Sequence, residues 1–217
     1  MCGRFRVRGK LIDDMPEDEF RHVRIRYTTL DRFNIGPGQI APIIWRNEEA
    51  GLSLDGMRWR QHPFYLARAE SVDQVRSWKP AFRDRRCLIL MNGFYEWDER
   101  TKPRQPWHFH LRDDGLMMVA GLWTKTGSQH EFTLITTTPN TVVAQAHHRM
   151  PAMITSCLSW LDPRASMESL KAMLQPTLED KLEGWPVSLY VNKVANEGPK
   201  CIERYEPPPP AQLELEV

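Results

Sequence analysis

Trp107-His108-Phe109-His110-Leu111-Arg112-Asp113-Asp114-Gly115-Leu116-Met117-Met118-Val119-Ala120-Gly121-Leu122-Trp123 decides the class of the fold. Its first five residues alternate strictly between apolar side chains and histidine, the period of a β-strand with unlike faces. Asp113-Asp114-Gly115 then supplies the residues of a tight turn. Leu116–Trp123 is a second apolar run of strand length. The pattern predicts an antiparallel hairpin with His108 and His110 on a solvated face. An H-x-H pair can ligate a metal, but no third ligand group stands near it in the chain, so no metal site is expected.

Outward from this hairpin, further short apolar runs between turn signals read as strands. They cover Gly3–Val7, Ile40–Arg46, Leu52–Trp59, Arg86–Trp97 and Phe132–Thr138. Helical patterns are fewer: Pro16–Arg24, and Pro163–Leu174 with Met167, Leu170 and Leu174 on one stripe. Asp162-Pro163 reads as an N-cap followed by proline at the first helical position. The fold expected is α+β, a single domain with a curved, mostly antiparallel, barrel-like sheet and flanking helices. That domain covers residues 1–206, and Pro207–Pro210 opens an extended, flexible proline-rich tail over 207–217.

Composition narrows the class. At 217 residues, with 41% hydrophobic and 26% charged, the chain has length and apolar content for one sizeable core. A net charge of +1 excludes a global basic excess, so any anion site must be a local cluster of arginines. Apolar runs such as Cys87-Leu88-Ile89-Leu90-Met91 are too short to span a bilayer, and no apolar signal segment opens the chain. The four cysteines include no C-x-x-C pair, which argues against a disulfide framework or structural zinc and fits a reducing cytoplasm.

Four islands place reactive or charged residues in apolar, turn-like settings: Cys2-Gly3-Arg4-Phe5, Ala67-Arg68-Ala69-Glu70, Asn92-Gly93-Phe94-Tyr95-Glu96-Trp97 and His147-His148-Arg149-Met150-Pro151. Removal of Met1 would leave Cys2 with a thiol and a free α-amine, whose ordinary pKa is about 8. Such a pair can attack one aldehyde twice, through nitrogen to an imine and then through sulfur to a thiazolidine. Taken alone, a terminal cysteine is more often a small residue in a frayed end. Glu96 reads either as an exposed strand residue or, flanked by aromatics, as a carboxyl with a raised pKa suited to proton transfer. Arg4, Arg68 and Arg149 are ordinary salt-bridge partners or, together, a clamp for flanking phosphates. His147 by itself reads as a surface histidine. Spacing alone does not bring the islands together.

The islands nonetheless follow a known order. M-C-G-R-F, N-G-F-Y-E-W and H-x-R-M-P resemble the signature blocks of the SRAP (SOS-response-associated peptidase) family, with its HMCES-type proteins that shield abasic sites in single-stranded DNA. Arg32-Phe33-Asn34-Ile35-Gly36-Pro37, Ala67-Arg68-Ala69-Glu70-Ser71 and the closing Pro186-Val187-Ser188…Asn196-Glu197-Gly198-Pro199 resemble three further blocks. Six blocks in order are far more specific than any one.

The resemblance implies that Cys2 captures the ring-opened sugar aldehyde as a thiazolidine, that Glu96 moves protons there, and that His147 assists ring opening. It implies DNA contacts for Arg4, Arg68, Arg149, Trp97 and Asn34. No metal, small-molecule cofactor or membrane is implied; the partner is single-stranded DNA with abasic sites, and the protein is a cytoplasmic monomer, nucleoid-associated when on DNA. Two departures stand out. Leu66 occupies the place of an asparagine that helps hold the sugar, and the Trp59–Leu66 loop is shorter and lacks the family's aromatic wedge. Crosslinking retained in kind, but weakened or with an altered DNA context, is the leading expectation. The alternatives are a thiol autopeptidase that removes its own Met1 and a divergent, non-crosslinking single-stranded DNA-binding paralogue.

Overall fold

Apolar residues at consecutive rather than alternate positions mark strands covered on both faces. Cys87-Leu88-Ile89-Leu90-Met91 is such a run, and every residue of it is buried. In the computed structural model, described over residues 2–47, 51–177 and 179–206, it is the middle strand of a closed barrel. The proline-rich segment 207–217 lies outside the described residues.

The described strands are β1 (Arg4–Val7), β2 (Arg24–Ile25), β3 (Arg32–Ile35), β4 (Ile40–Asn47), β5 (Gly51–Trp59), β6 (Leu66–Arg68), β7 (Arg86–Met91), β8 (Gly93–Asp98), β9 (Gln105–Leu111), β10 (Met117–Thr126), β11 (Gln129–Thr137), β12 (Met150–Pro151) and β13 (Leu182–Pro186). The barrel runs β11-β10-β7-β4-β5. It closes where β5 returns to β11 in parallel, Arg58 opposite Glu131 and Trp59 opposite Phe132. Short β2 extends β5, while β6 and β12 lie on either side of the far end of β11. A second sheet, β13-β9-β8-β1-β3, is antiparallel throughout. Trp59 joins the two layers: its ring stacks on Phe132 at 5.8 Å and meets Phe5 of β1 at 5.2 Å. The α+β, barrel-like expectation holds in this form.

Three local expectations about the strands are corrected. Arg86–Trp97 is two strands rather than one, because the chain bends at Asn92 and leaves the barrel for the second sheet. The Asp113–Gly115 turn does not close a hairpin: β9 pairs with β8 and β13, whereas β10 pairs with β7 and β11. The turn is a crossover between sheets, with Asp114 at φ 53° and paired to Arg6 and Arg8. His108 and His110 are buried, not solvated. Their rings stack at 5.1 Å and both meet the edge of Trp185, while Arg6 Nε donates to His108 Nε2 at 3.1 Å. Alternation reported two unlike faces correctly; a packed polar cluster, rather than water, covers the second.

The helical corrections are smaller. The first helix spans only Glu17–Phe20 before the chain extends into β2. The second is Met167–Ala172, capped by Ser166, whose hydroxyl accepts from Ser169 N at 3.1 Å. Asp162 instead ends the preceding helix, Cys157–Leu161, and its carboxylate accepts from Arg164 N at 2.9 Å. Leu170 and Leu174 are buried and Met167 packs against the core, as the stripe predicts.

Gly93 shows how tight the crossover from the barrel is. A Cβ there would lie 2.3 Å from His108 Nε2 and 3.1 Å from the Phe109 carbonyl oxygen. Gly93→Ala is therefore expected to destabilise the fold by about 1–3 kcal/mol through overpacking, read by urea denaturation, with β8 and the Arg6–His108 contact displaced.

Candidate active site

Strand pairing assembles the site. Antiparallel β1 and β8 set Arg4 opposite Tyr95 and Phe5 opposite Phe94. One step further, this register brings Glu96 beside the Cys2-Gly3 end of β1. From the other layer, β11 carries β6 on one side and β12 on the other, with Thr136 opposite both Arg68 and Pro151. The chain leading into β12 delivers His147 and Arg149.

Cys2, Glu96 and His147 converge. Cys2 is 1% exposed and Glu96 0%. The Cys2 thiol and the Glu96 carboxyl are close enough to shift each other's proton affinity, and His147 Nδ1 lies 3.7 Å from Glu96 Oε2. Burial pushes the Cys2 thiol well above its usual range, and the neighbouring Glu96 charge adds to this. Burial also raises Glu96 to about 7, opposed in part by nearby positive charge and by the Cys2 thiol. His147 is lowered to about 4 by burial, so near neutrality it faces Glu96 as a neutral imidazole rather than as half of an ion pair. The backbone N–H of Arg149 donates to His147 Nδ1 at 3.1 Å, which leaves the ring proton on Nε2. The cluster therefore holds a protonated thiol, a carboxyl poised to gain or lose a proton near pH 7, and a neutral imidazole.

The predicted DNA-contact residues divide. Arg4 and Trp97 line an open cleft of about 650 Å³ with Gly3, Pro37, His62, Tyr65, Arg104 and Asn192. Arg4 is braced by Asn34 Oδ1 at 2.9 Å and the Val191 carbonyl at 3.0 Å, and lies over the Trp97 ring. Trp97 Nε1 donates to Asn192 Oδ1 at 2.7 Å, which fixes the indole in the cleft wall. Arg68 is exposed. Asn34 is 0% exposed, and its amide donates to the carbonyls of Val191, Lys193 and Asn196. It holds Arg4 and the 191–196 turn in place instead of facing the cleft. Arg149 is likewise buried: its guanidinium grips Glu70 bidentately at 2.6 and 3.0 Å and the Thr136 carbonyl at 2.6 Å. That grip anchors the His147 segment to the β6–β11 edge.

Tyr65, His62 and Arg104 face the cleft and were missed in the sequence. The shortened Trp59–Leu66 loop was the available signal for the first two. Leu66 packs half-buried against the core and is not part of the cleft lining. A cation could be held by Glu99, His147 and His148, whose ligand atoms lie within 4.8 Å of one another, two of the three residues being exposed. His108 and His110 are not part of that group. All four cysteines are free, and no described helix is long and apolar enough to cross a membrane.

The family model described as SOS response associated peptidase (SRAP) matches residues 1–194. The chain belongs to the SRAP family. Among curated relatives of this SRAP chain, "Abasic site processing protein YoqW" of Bacillus subtilis is 29% identical, over 94% of this chain and 100% of that protein. "Abasic site processing protein YedK" of Escherichia coli is 24% identical, over 94% and 99%. "Abasic site processing protein HMCES" of Gallus gallus is 25% identical, over 78% and 65%. A crystal structure of a Bacteroides thetaiotaomicron protein superposes with a TM-score of 0.79 at 19% identity, over 94% of this chain and 100% of that one, which establishes the shared fold.

The two shifted groups oppose each other in the pH dependence of stability. Glu96 is raised from 4.5 to about 7, so the folded chain binds the extra proton, and its contribution falls as pH rises through that window. His147 is lowered from 6.5 to about 4, so the unfolded chain binds the extra proton, and its contribution rises with pH between those values. Glu96→Gln removes only the first effect. It is expected to be more stable than the parent at pH 8 by about 1–3 kcal/mol, the gain shrinking towards pH 5. Chemical denaturation at both pH values checks this; an equal difference at pH 5 and pH 8 would contradict it.

Proposed function

We propose that this chain processes abasic sites in single-stranded DNA by forming a thiazolidine crosslink through Cys2 once Met1 has been removed. The observation that supports it is the burial of the Cys2 thiol, Glu96 carboxyl and His147 imidazole in one cluster beside a cleft that exposes an arginine and an indole. The names of the curated relatives, each an abasic site processing protein, point the same way.

The chemistry follows from the groups in hand. The neutral α-amine of Cys2 adds to the C1′ aldehyde of the ring-opened deoxyribose, and one amine proton passes to the new hydroxyl. Protonation of that hydroxyl expels water and leaves an iminium. Sulfur then attacks the same carbon while the thiol proton leaves, closing the five-membered ring. In sum, aldehyde and aminothiol give thiazolidine and one water. Glu96, its carboxyl raised by burial, supplies the acid for loss of water and the base for the thiol, which burial also keeps protonated. His147, held neutral, takes or returns the proton during sugar ring opening. Arg4, Arg68 and Arg104 contact phosphates, Trp97 offers a face to a neighbouring base, and Arg149 and Asn34 hold the site in shape. The reading requires no cofactor and no second subunit.

The test uses the Met1-free protein and an oligonucleotide bearing a uracil-derived abasic site. A covalent species should appear on a denaturing gel, with an intact mass equal to protein plus DNA less one water. Cys2→Ala should form none, and Glu96→Gln should form it about 100-fold more slowly or worse. An undiminished adduct in Cys2→Ala would overturn the assignment. The same mass spectra, taken with methionine aminopeptidase inhibited, separate autoprocessing: retention of Met1 in Glu96→Gln but not in the parent would favour it.

A further inference from the structure

The family's asparagine position carries Leu66, which can neither donate nor accept a hydrogen bond. The residue just before it, Tyr65, lines the cleft with Arg4 and with Gly3 and Trp97, the chain neighbours of Cys2 and Glu96. Tyr65 is rigidly mounted. Its carbonyl accepts from Trp59 Nε1 at 2.8 Å and from Leu134 N at 3.1 Å, and its ring rests between Trp59 and His62 at 6.3 and 6.1 Å.

Its hydroxyl is in a different position from those of two other tyrosines near the site. Tyr95 donates to the Phe33 carbonyl at 2.7 Å and Tyr190 to the Glu197 carbonyl at 3.5 Å. Among the described residues the half-buried Tyr65 hydroxyl has no hydrogen-bond partner. A donor held in a rigid cleft wall and not committed to another protein group is available to a ligand. The electrostatics agree: burial raises the phenol above its usual range and the Glu96 charge raises it further, so it stays a donor.

We infer that the Tyr65 hydroxyl donates a hydrogen bond to the oxygen on C1′ of the abasic sugar as it reacts at Cys2. This rests on the crosslinking reading above. Tyr65 forms no bond to the sugar and loses no proton over the reaction, so the atom balance is unchanged. The short Trp59–Leu66 loop brings Trp59 and Tyr65 together and fixes the phenol in the cleft wall.

Tyr65→Phe removes only the unpartnered oxygen and keeps the ring contacts. Two measurements are compared with the parent. One is the single-turnover crosslinking rate at saturating abasic oligonucleotide. The other is binding, by fluorescence anisotropy, of an oligonucleotide with a tetrahydrofuran abasic analogue, which has no oxygen substituent on C1′. The expected result is a maximal rate lower by about 10- to 100-fold, with analogue affinity within about twofold of the parent. A rate within about twofold of the parent overturns the inference while leaving the crosslinking reading intact. So does an affinity loss that matches the rate loss, since it would place Tyr65 in general DNA binding. A parent that forms no adduct overturns both.

Discussion

Asn92 and Gly93 carry the chain out of the barrel, and the second layer depends on how closely the backbone passes His108 there. The Asn92 side chain accepts from Arg8 N at 2.9 Å and donates to the Gly115 carbonyl, while its own N–H reaches the Arg6 carbonyl at 2.9 Å. Gly93 leaves no room for a Cβ, so the strand that follows can lie directly on β1. Had the apolar run continued straight, Glu96 would have extended β7 along the barrel. The exit instead aims it at the Cys2 end of β1, and the same corner is braced by Arg6, shared between His108 and Asp114.

The site that results is assembled against desolvation. Burying a carboxyl beside a thiol and an imidazole costs stability, because each group loses water and the surroundings favour its neutral form. The same burial lifts Glu96 into the range where a group both donates and accepts protons near neutrality. The arginines divide the support. Arg149 holds the His147 segment through Glu70 and Thr136, and Arg4 is kept in the cleft wall by the buried Asn34. Neutralising Arg149 would therefore loosen the imidazole as well as remove a charge.

Strand positions were legible wherever apolar runs had turn residues at both ends, as at Ile40–Arg46 and Leu52–Trp59, which the barrel strands β4 and β5 match closely. The partners of those strands were not. Asp113–Gly115 has the composition of a hairpin turn, yet its two strands belong to different sheets, since pairing was settled by β7, β8, β11 and β13. The histidines of β9 show the same gap: polarity on one face does not say whether water or Trp185 and Arg6 will cover it. At Asp162 two capping residues competed, and Ser166, four residues later, won because it lies within reach of the free N–H of Ser169.

The sequence by itself determined the class of fold, the order of the blocks and the reactive residue types, because apolar period and side-chain chemistry are local properties. It also exposed the departure at Leu66. Only the tertiary structure decided that Cys2, Glu96 and His147 share one buried cluster, that Asn34 and Arg149 are braces, and that Tyr65 lines the cleft. Each of these depends on which strands lie side by side and on what excludes water from between them. Those are long-range outcomes of packing that no stretch of the chain encodes alone.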